Sequence, residues 1–254
     1  MRGLSSELLK YRRTMTEKLL VLLPLFFVLQ ALPSLWLMPA GVVRKWENVT
    51  SMVFNLWTVA FLPFGIALLA YLVDLQEKRA GNYRGLRVRA YAPWRLWIDK
   101  VLVMSIFLLV TSMVLLIATI LSGLITVTEG KWAIPWSKIL LAVFFSWFTS
   151  LALIPLQLWI AAWKGMFAGM GMGFAGMVSG IALAAKPFWY LSPWAWSIRM
   201  MCPILQLNPN GVMMDASDVL QDSSVLPPGL LLSLGASFVV AGISAFCFQR
   251  RDCQ

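Results

Sequence analysis

Apolar residues run in blocks along this chain, and the polar ones gather in the gaps. Leu19–Leu37, Met52–Val73, Val101–Val127, Ile139–Trp163, Met166–Ala185 and Gly229–Phe248 are each apolar over roughly the ~20 residues a helix needs to cross a bilayer. The pattern predicts an all-α polytopic membrane protein with six transmembrane helices. Pro24 and Pro33 predict bends in the first, and Lys164-Gly165 a tight turn between the fourth and fifth. No small-residue cleavage site clearly follows the first run, so it reads as a span and not as a signal peptide. A single transmembrane domain is expected over residues 1–254. Its parts are an interfacial helix at 1–18, spans one and two in 19–73 and a cytoplasmic loop at 74–100. Spans three to five follow in 101–185, then an outer, interfacial segment at 186–228 and the sixth span with its tail in 229–254.

The gap at 74–100, DLQEKRAGNYRGLRVRAYAPWRLWIDK, holds seven basic residues and three acids. Each Lys or Arg at mid-bilayer costs ~2.5–3.5 kcal/mol on insertion scales, so this stretch is expected as a soluble connection carrying a short surface helix. Before the first span, Leu4, Leu8, Tyr11 and Met15 recur at steps of three and four, with Glu7, Arg12, Arg13 and Glu17 on other faces. That spacing predicts an amphipathic helix on the inner membrane surface. A plain basic flank that orients the first span is the other reading.

Charge assigns the sides. Residues 1–18 hold five basic residues and residues 74–100 hold seven; with Lys164, Arg250 and Arg251 the expected inner side carries fifteen. The expected outer side carries six: Arg44, Lys45, Lys131, Lys138, Lys186 and Arg199. Both termini are therefore expected in the cytoplasm. The same loops account for the net charge of +10 without nucleic acid, since no soluble basic domain is present to bind it. Composition agrees: 60% of residues are hydrophobic and only 13% charged, half the share of a soluble domain.

Two stretches stand out. At and within the fifth span, the pairs Gly165/Gly169, Gly169/Gly173 and Gly176/Gly180 set small residues four apart, which lets helices approach closely in lipid. Packing within one subunit is the first reading, a dimer face the second. The 186–228 segment is rich in Trp and Pro. Trp189, Tyr190, Trp194 and Trp196 suit the headgroup layer, which predicts one or two half-embedded helices. Asp215, Asp218 and Asp222 follow as an outward acidic patch. Anchoring alone, or gating and contact with substrate through Trp189, Trp194, Trp196 and the three acids, remain the two readings.

Catalytic chemistry is missing from the sequence. There is no histidine, no G-x-x-x-x-G-K-[ST], no G-x-S-x-G and no paired cysteine spacing among Cys202, Cys247 and Cys253. The chain is expected to be a non-catalytic subunit with no cofactor of its own. The spans are nearly free of charge, their polar members being amides such as Gln30, Asn55 and Gln157. Ion-coupled carriers keep charged relays there, so a subunit powered from outside fits better. Asn48-Val49-Thr50 matches a glycosylation acceptor, a pattern short enough to arise by chance.

Glu77-Lys78-Arg79-Ala80-Gly81-Asn82-Tyr83-Arg84-Gly85-Leu86, followed by Ala92-Pro93-Trp94-Arg95, resembles the coupling segment of type-2 ABC exporter permeases. The resemblance extends over nearly the whole chain, including the span pair around Lys164 and the closing Phe248-Gln249-Arg250-Arg251-Asp252. It implies that Glu77, Lys78, Arg79, Asn82, Tyr83, Arg84, Leu86 and Arg87 dock onto a partner ATPase dimer, which would hold ATP and Mg. Ser192-Pro193-Trp194-Ala195-Trp196 and Asn208-Pro209-Asn210-Gly211 look most like the lantibiotic self-immunity permeases. Those imply a second permease subunit, identical or related, an amphipathic bacteriocin substrate and the bacterial plasma membrane. The density of Trp, 13 in all, departs from that pattern. Two rivals stay open: a carrier working alone on an ion gradient, and a non-transporting scaffold or peptide sensor.

Overall fold

The computed structural model describes residues 7–11, 13–37, 39, 41–79, 92–215 and 218–251. It is built of helices, with one isolated bridge, Leu207 to Met213, as the sole β feature among the described residues. A helical turn at residues 7–10 precedes α1 (Met15–Leu37). Next come α2 (Trp46–Leu56), a π-helical turn (Trp57–Phe61) and α3 (Leu62–Arg79), which together form one long rod. Then follow α4 (Pro93–Thr126), α5 (Trp136–Ser150), α6 (Leu153–Ala184), α7 (Pro193–Leu205) and α8 (Leu226–Arg251). Among the described residues, five stretches are long and apolar enough to cross a membrane: Met15–Leu37, Trp46–Arg79, Pro93–Thr126, Leu153–Ala184 and Ser223–Arg250.

The rods overrun the lengths expected from hydropathy. The second begins at Trp46, six residues early, because the Trp46 ring lies flat against Gly123 of α4 and its Nε1 donates to the Gly130 and Lys131 carbonyls at 3.2 Å. Asn48-Val49-Thr50 is consequently helical, with Thr50 buried and bonded to the Trp46 carbonyl, and not an open acceptor loop. Pro63 has no N–H to give and its ring crowds the carbonyl four residues back. The chain answers with the π turn just before it. At the far end α3 continues to Arg79, and α4 starts at Pro93, a proline in the first turn after an extended Ala92. The two flanks of 74–100 are thus helical continuations of two rods with buried charges where a loop was expected; residues 80–91 lie outside the described residues.

α6 is not straight. Gly165 sits at φ 79°, ψ −167°, outside helical space. A Cβ on Gly169 would touch the Cβ of Ala161 at 3.9 Å, whereas eight residues of continuous helix separate their ends by about 12 Å. The chain therefore reverses at Gly165, as the Lys164-Gly165 spacing predicts, and the two legs lie side by side. The first leg follows α5 across Leu151 and Ala152, which both keep right-handed helical φ/ψ.

α3 packs mainly on α6, α1 on α4, and α8 on α4, α5 and α6. α7 differs from the half-embedded helix expected: ten of its thirteen residues are buried between α5 and α6. Gly176 and Gly180 make the space, with Trp194 seated against both. Thr149 and Ser197 share a hydrogen bond at 2.9 Å across the contact. The two ends of the bundle are distinct. At one, Arg44 pairs with Thr128 through its backbone, and Asn55 Nδ2 donates to the Pro209 carbonyl. At the other, Trp97 Nε1 donates to Ser244 Oγ at 2.8 Å and stacks at a tilt on Phe248.

Candidate coupling site

The end that holds Trp97 and Ser244 also gathers most of the buried charge. Glu77, in the last turn of α3, is 4% exposed, and Lys100, two turns into α4, is fully buried. Lys100 Nζ lies 3.1 Å from Glu77 Oε1, and Lys10 Nζ donates to the same oxygen at 2.7 Å. Lys10 also pairs with Glu7 one turn away. Asp74, one turn before Lys78, is buried and pairs with it at 2.6 Å, while Lys78 reaches the Ala162 carbonyl near the Gly165 reversal at 3.5 Å. Gln76 donates to the Lys10 carbonyl, and the Tyr11 ring packs edge-on against Phe107 at 5.5 Å. Four pieces distant in sequence thus converge: the 7–11 turn, both flanks of 80–91, and the reversal.

This charge is tolerable because it is paired. An isolated ion at such a depth costs several kcal/mol, and removing one partner of a buried pair leaves that cost unopposed. Burial works against the charged form of Lys10, but its bonds to Glu7 and Glu77 outweigh this and raise its pKa. Burial, with Glu7, Glu77 and Asp74 nearby, pushes the Tyr11 hydroxyl well above its ordinary range, so it stays neutral.

Of the residues expected to dock an ATPase, Glu77 turns inward, Lys78 is partly exposed and tied to Asp74, and Arg79 is exposed. Asn82, Tyr83, Arg84, Leu86 and Arg87 lie outside the described residues. The cluster partners Glu7, Lys10, Asp74 and Lys100 were not picked out by sequence. The spacings Glu7/Lys10 and Asp74/Lys78 place each pair on one helix face and were the available signal.

The other expected residues sit apart. Gly165 makes the reversal; Gly173 faces Pro63 and Ala67 of α3, and Gly176 and Gly180 face Trp194. Trp194 and Trp196 are committed to packing, the Trp196 Nε1 donating to the Tyr190 carbonyl at 3.0 Å. Trp189 meets Tyr190 edge-on. Asp218 and Asp222 cap short 3-10 turns by accepting from Leu220 N and Ser224 N at 2.9 Å. The bonds from Ser224 hold the Asp222 carboxyl below its ordinary pKa. Asp215 is exposed, and its carbonyl accepts from Gln221. Asn55 pairs with Pro209, whereas buried Gln157 has no hydrogen-bond partner among the described residues. Among the described residues no group of three or more acidic, cysteine or histidine side chains is placed to hold a metal.

A multi-pass helical membrane protein with paired charge at one end of its bundle is the class this fold defines. The model of the ABC-2 family transporter proteins matches residues 3–180, well over half of the chain, and the chain belongs to that family. The family is a membrane transport component and implies an ABC ATPase as partner. No curated protein and no solved structure matches.

Proposed function

We propose that this chain is the permease subunit of an ABC exporter of the bacterial plasma membrane. It crosses six times with both termini in the cytosol. It works with an ATPase dimer that holds ATP and Mg, and with a second permease, to expel an amphipathic cationic peptide of lantibiotic type. The observation that carries this is the cluster at Glu77. It joins the N-terminal turn to both flanks of residues 80–91, the segment that resembles a coupling helix. Any displacement of that segment by the ATPase's nucleotide states would be passed to α3 and α4 at once, as a shift between two populations. The reversal at Gly165 supports the six-crossing count, since α5 with the first leg of α6 makes one crossing and the second leg another. Exposed Arg79 and the Tyr83 and Leu86 positions supply charge and apolar contact for docking. Trp189, Trp194, Trp196 and the acids Asp215, Asp218 and Asp222, on the segment expected outside, are the candidates to meet a cationic peptide.

The test is purification from the native membrane, followed by reconstitution. A stoichiometric P-loop ATPase and ATP-dependent release of labelled lantibiotic from proteoliposomes are expected. Binding that is unchanged by ATP would indicate a sensor or scaffold. Release driven by an ion gradient without an ATPase would indicate an independent carrier.

A further inference from the structure

Between α1 and α3 the bundle leaves a groove. At the end near the ion cluster it opens into a cleft of about 540 Å³ between Thr14–Thr16 and a face of α3 bearing Leu72, Leu75, Gln76 and Arg79. Farther along the same two helices a second cleft of about 220 Å³ lies between Leu23 and the Phe61, Phe64, Gly65, Leu68 face. The two belong to one stripe, since Leu68, Leu72, Leu75 and Arg79 recur at steps of four, three and four. On α1, Thr16 and Leu23 are likewise two turns apart.

The groove is polarised. Its wide end holds two threonines, an amide and Arg79, which makes no ion pair with a described residue, and exposed Arg13 and Lys18 flank it. The nearest acids offset only part of this charge: Glu17 removes one unit, which leaves Arg79, Arg13 and Lys18 a net excess of two positive charges. Glu7, Asp74 and Glu77 are paired in the cluster, and Glu17 accepts from the Arg13 N–H. The narrow end is lined by apolar side chains and Gly65. From Gly65 to Arg79 the helix rises about 21 Å at 1.5 Å per residue. That is roughly the depth of one leaflet with its headgroups, half of the ~40–45 Å of a whole bilayer.

We propose that this groove binds an anionic phospholipid, its phosphate at Arg79 and one acyl chain along Leu72, Leu68 and Phe61. The leaflet, the cytoplasmic one, rests on the orientation proposed above; the binding does not. Basic pockets beside helix ends favour anionic headgroups, and the aliphatic wall below Arg79 fits a tail better than the surface of a soluble partner.

The isolated permease, in neutral detergent, is titrated with phosphatidylglycerol, phosphatidylcholine or inorganic phosphate and read by native mass spectrometry. Phosphatidylglycerol is expected to stay bound at least about fivefold better than phosphatidylcholine, and Arg79→Gln to remove that preference. Leu72→Trp, which fills the channel, is expected to weaken both lipids, with Leu75→Trp in its place if the first variant melts early. Equal retention of both lipids with no effect of Arg79→Gln would overturn the proposal. So would competition by phosphate alone, which would reduce the site to an ion contact. An unchanged phosphatidylglycerol preference in Arg79→Gln would likewise overturn it and leave Arg79 to the docking role proposed above. Because no ATPase enters the lipid titration, its outcome is independent of whether the exporter reading stands.

Discussion

Lys100 meets Glu77 at 3.1 Å although twenty-two residues lie between them, so the helix entering residues 80–91 is tied directly to the helix leaving them. Lys10 on the same oxygen adds the N-terminal turn to that tie. The two ends that flank residues 80–91 are therefore held at a fixed separation.

Lys100→Met should show how much this tie matters. It leaves Glu77 buried with Lys10 alone, and losing one member of a buried pair costs ~3–5 kcal/mol, here toward the lower value because Lys10 remains. A thermal melt in detergent is expected to fall by several degrees, with Glu77→Gln combined with Lys100→Met recovering part of the loss. Additive losses would show that the two side chains do not interact.

The Lys10 contact also predicts a pH response. Its pKa is raised in the folded protein, against burial, by Glu7 and Glu77. A raised pKa contributes stability that is complete below the unfolded value of 10.5 and is lost as pH climbs through the folded one. Buried Tyr11 titrates with the same sign. A spin label at exposed Leu9 should stay immobile from pH 6 to 9 and loosen only above about 10.5. Lys10→Met should be loose throughout; loosening near pH 7 in the unmodified chain would contradict the assignment.

Gly165→Ala isolates backbone from packing, because a Cβ there meets nothing within 4 Å. At φ 79°, ψ −167° the region is essentially glycine's alone, and other residues pay ~1–3 kcal/mol. Gly171→Ala, also in open space but helical, should be neutral or stabilising by about 0.5–1 kcal/mol. Equal melting temperatures for the two variants would remove the argument for a reversal.

Gly176→Ala would place a methyl 2.2 Å from the Trp194 Nε1. Overpacking of this kind costs ~1–3 kcal/mol. Trp194→Leu in the same chain should restore much of the loss, which a melt of the double variant measures. Failure of that rescue would mean that the ring is not what fills the space.

Much of the architecture is legible in the sequence because hydrophobic length is a local property. The blocks at 19–37 and 229–248 fall inside α1 and α8, and that at 101–127 overruns α4 by one residue. Lys164-Gly165 is legible for the same reason, a cation and a flexible residue between two apolar runs. What escapes is anything that depends on a distant partner. Glu77 and Lys100 read as solvated because nothing nearby in sequence announces that each will neutralise the other, or that Lys10 will join them. The burial of α7 is equally hidden, since its Trp-rich face suits a headgroup layer until Gly176 and Gly180 offer it a slot. The π turn follows from Pro63, yet a proline signals only that something must yield, not which way.

Gly165 has one more consequence. Measured by length and hydropathy alone, residues 153–184 count as a single rod, and a chain with an odd number of crossings ends on the side opposite its start. On the six-crossing reading proposed above, the reversal changes odd to even. One residue without a side chain thereby decides whether Arg250 and Arg251 share a compartment with Lys10 and Glu77 or face the other way, and with them the polarity of everything threaded after it.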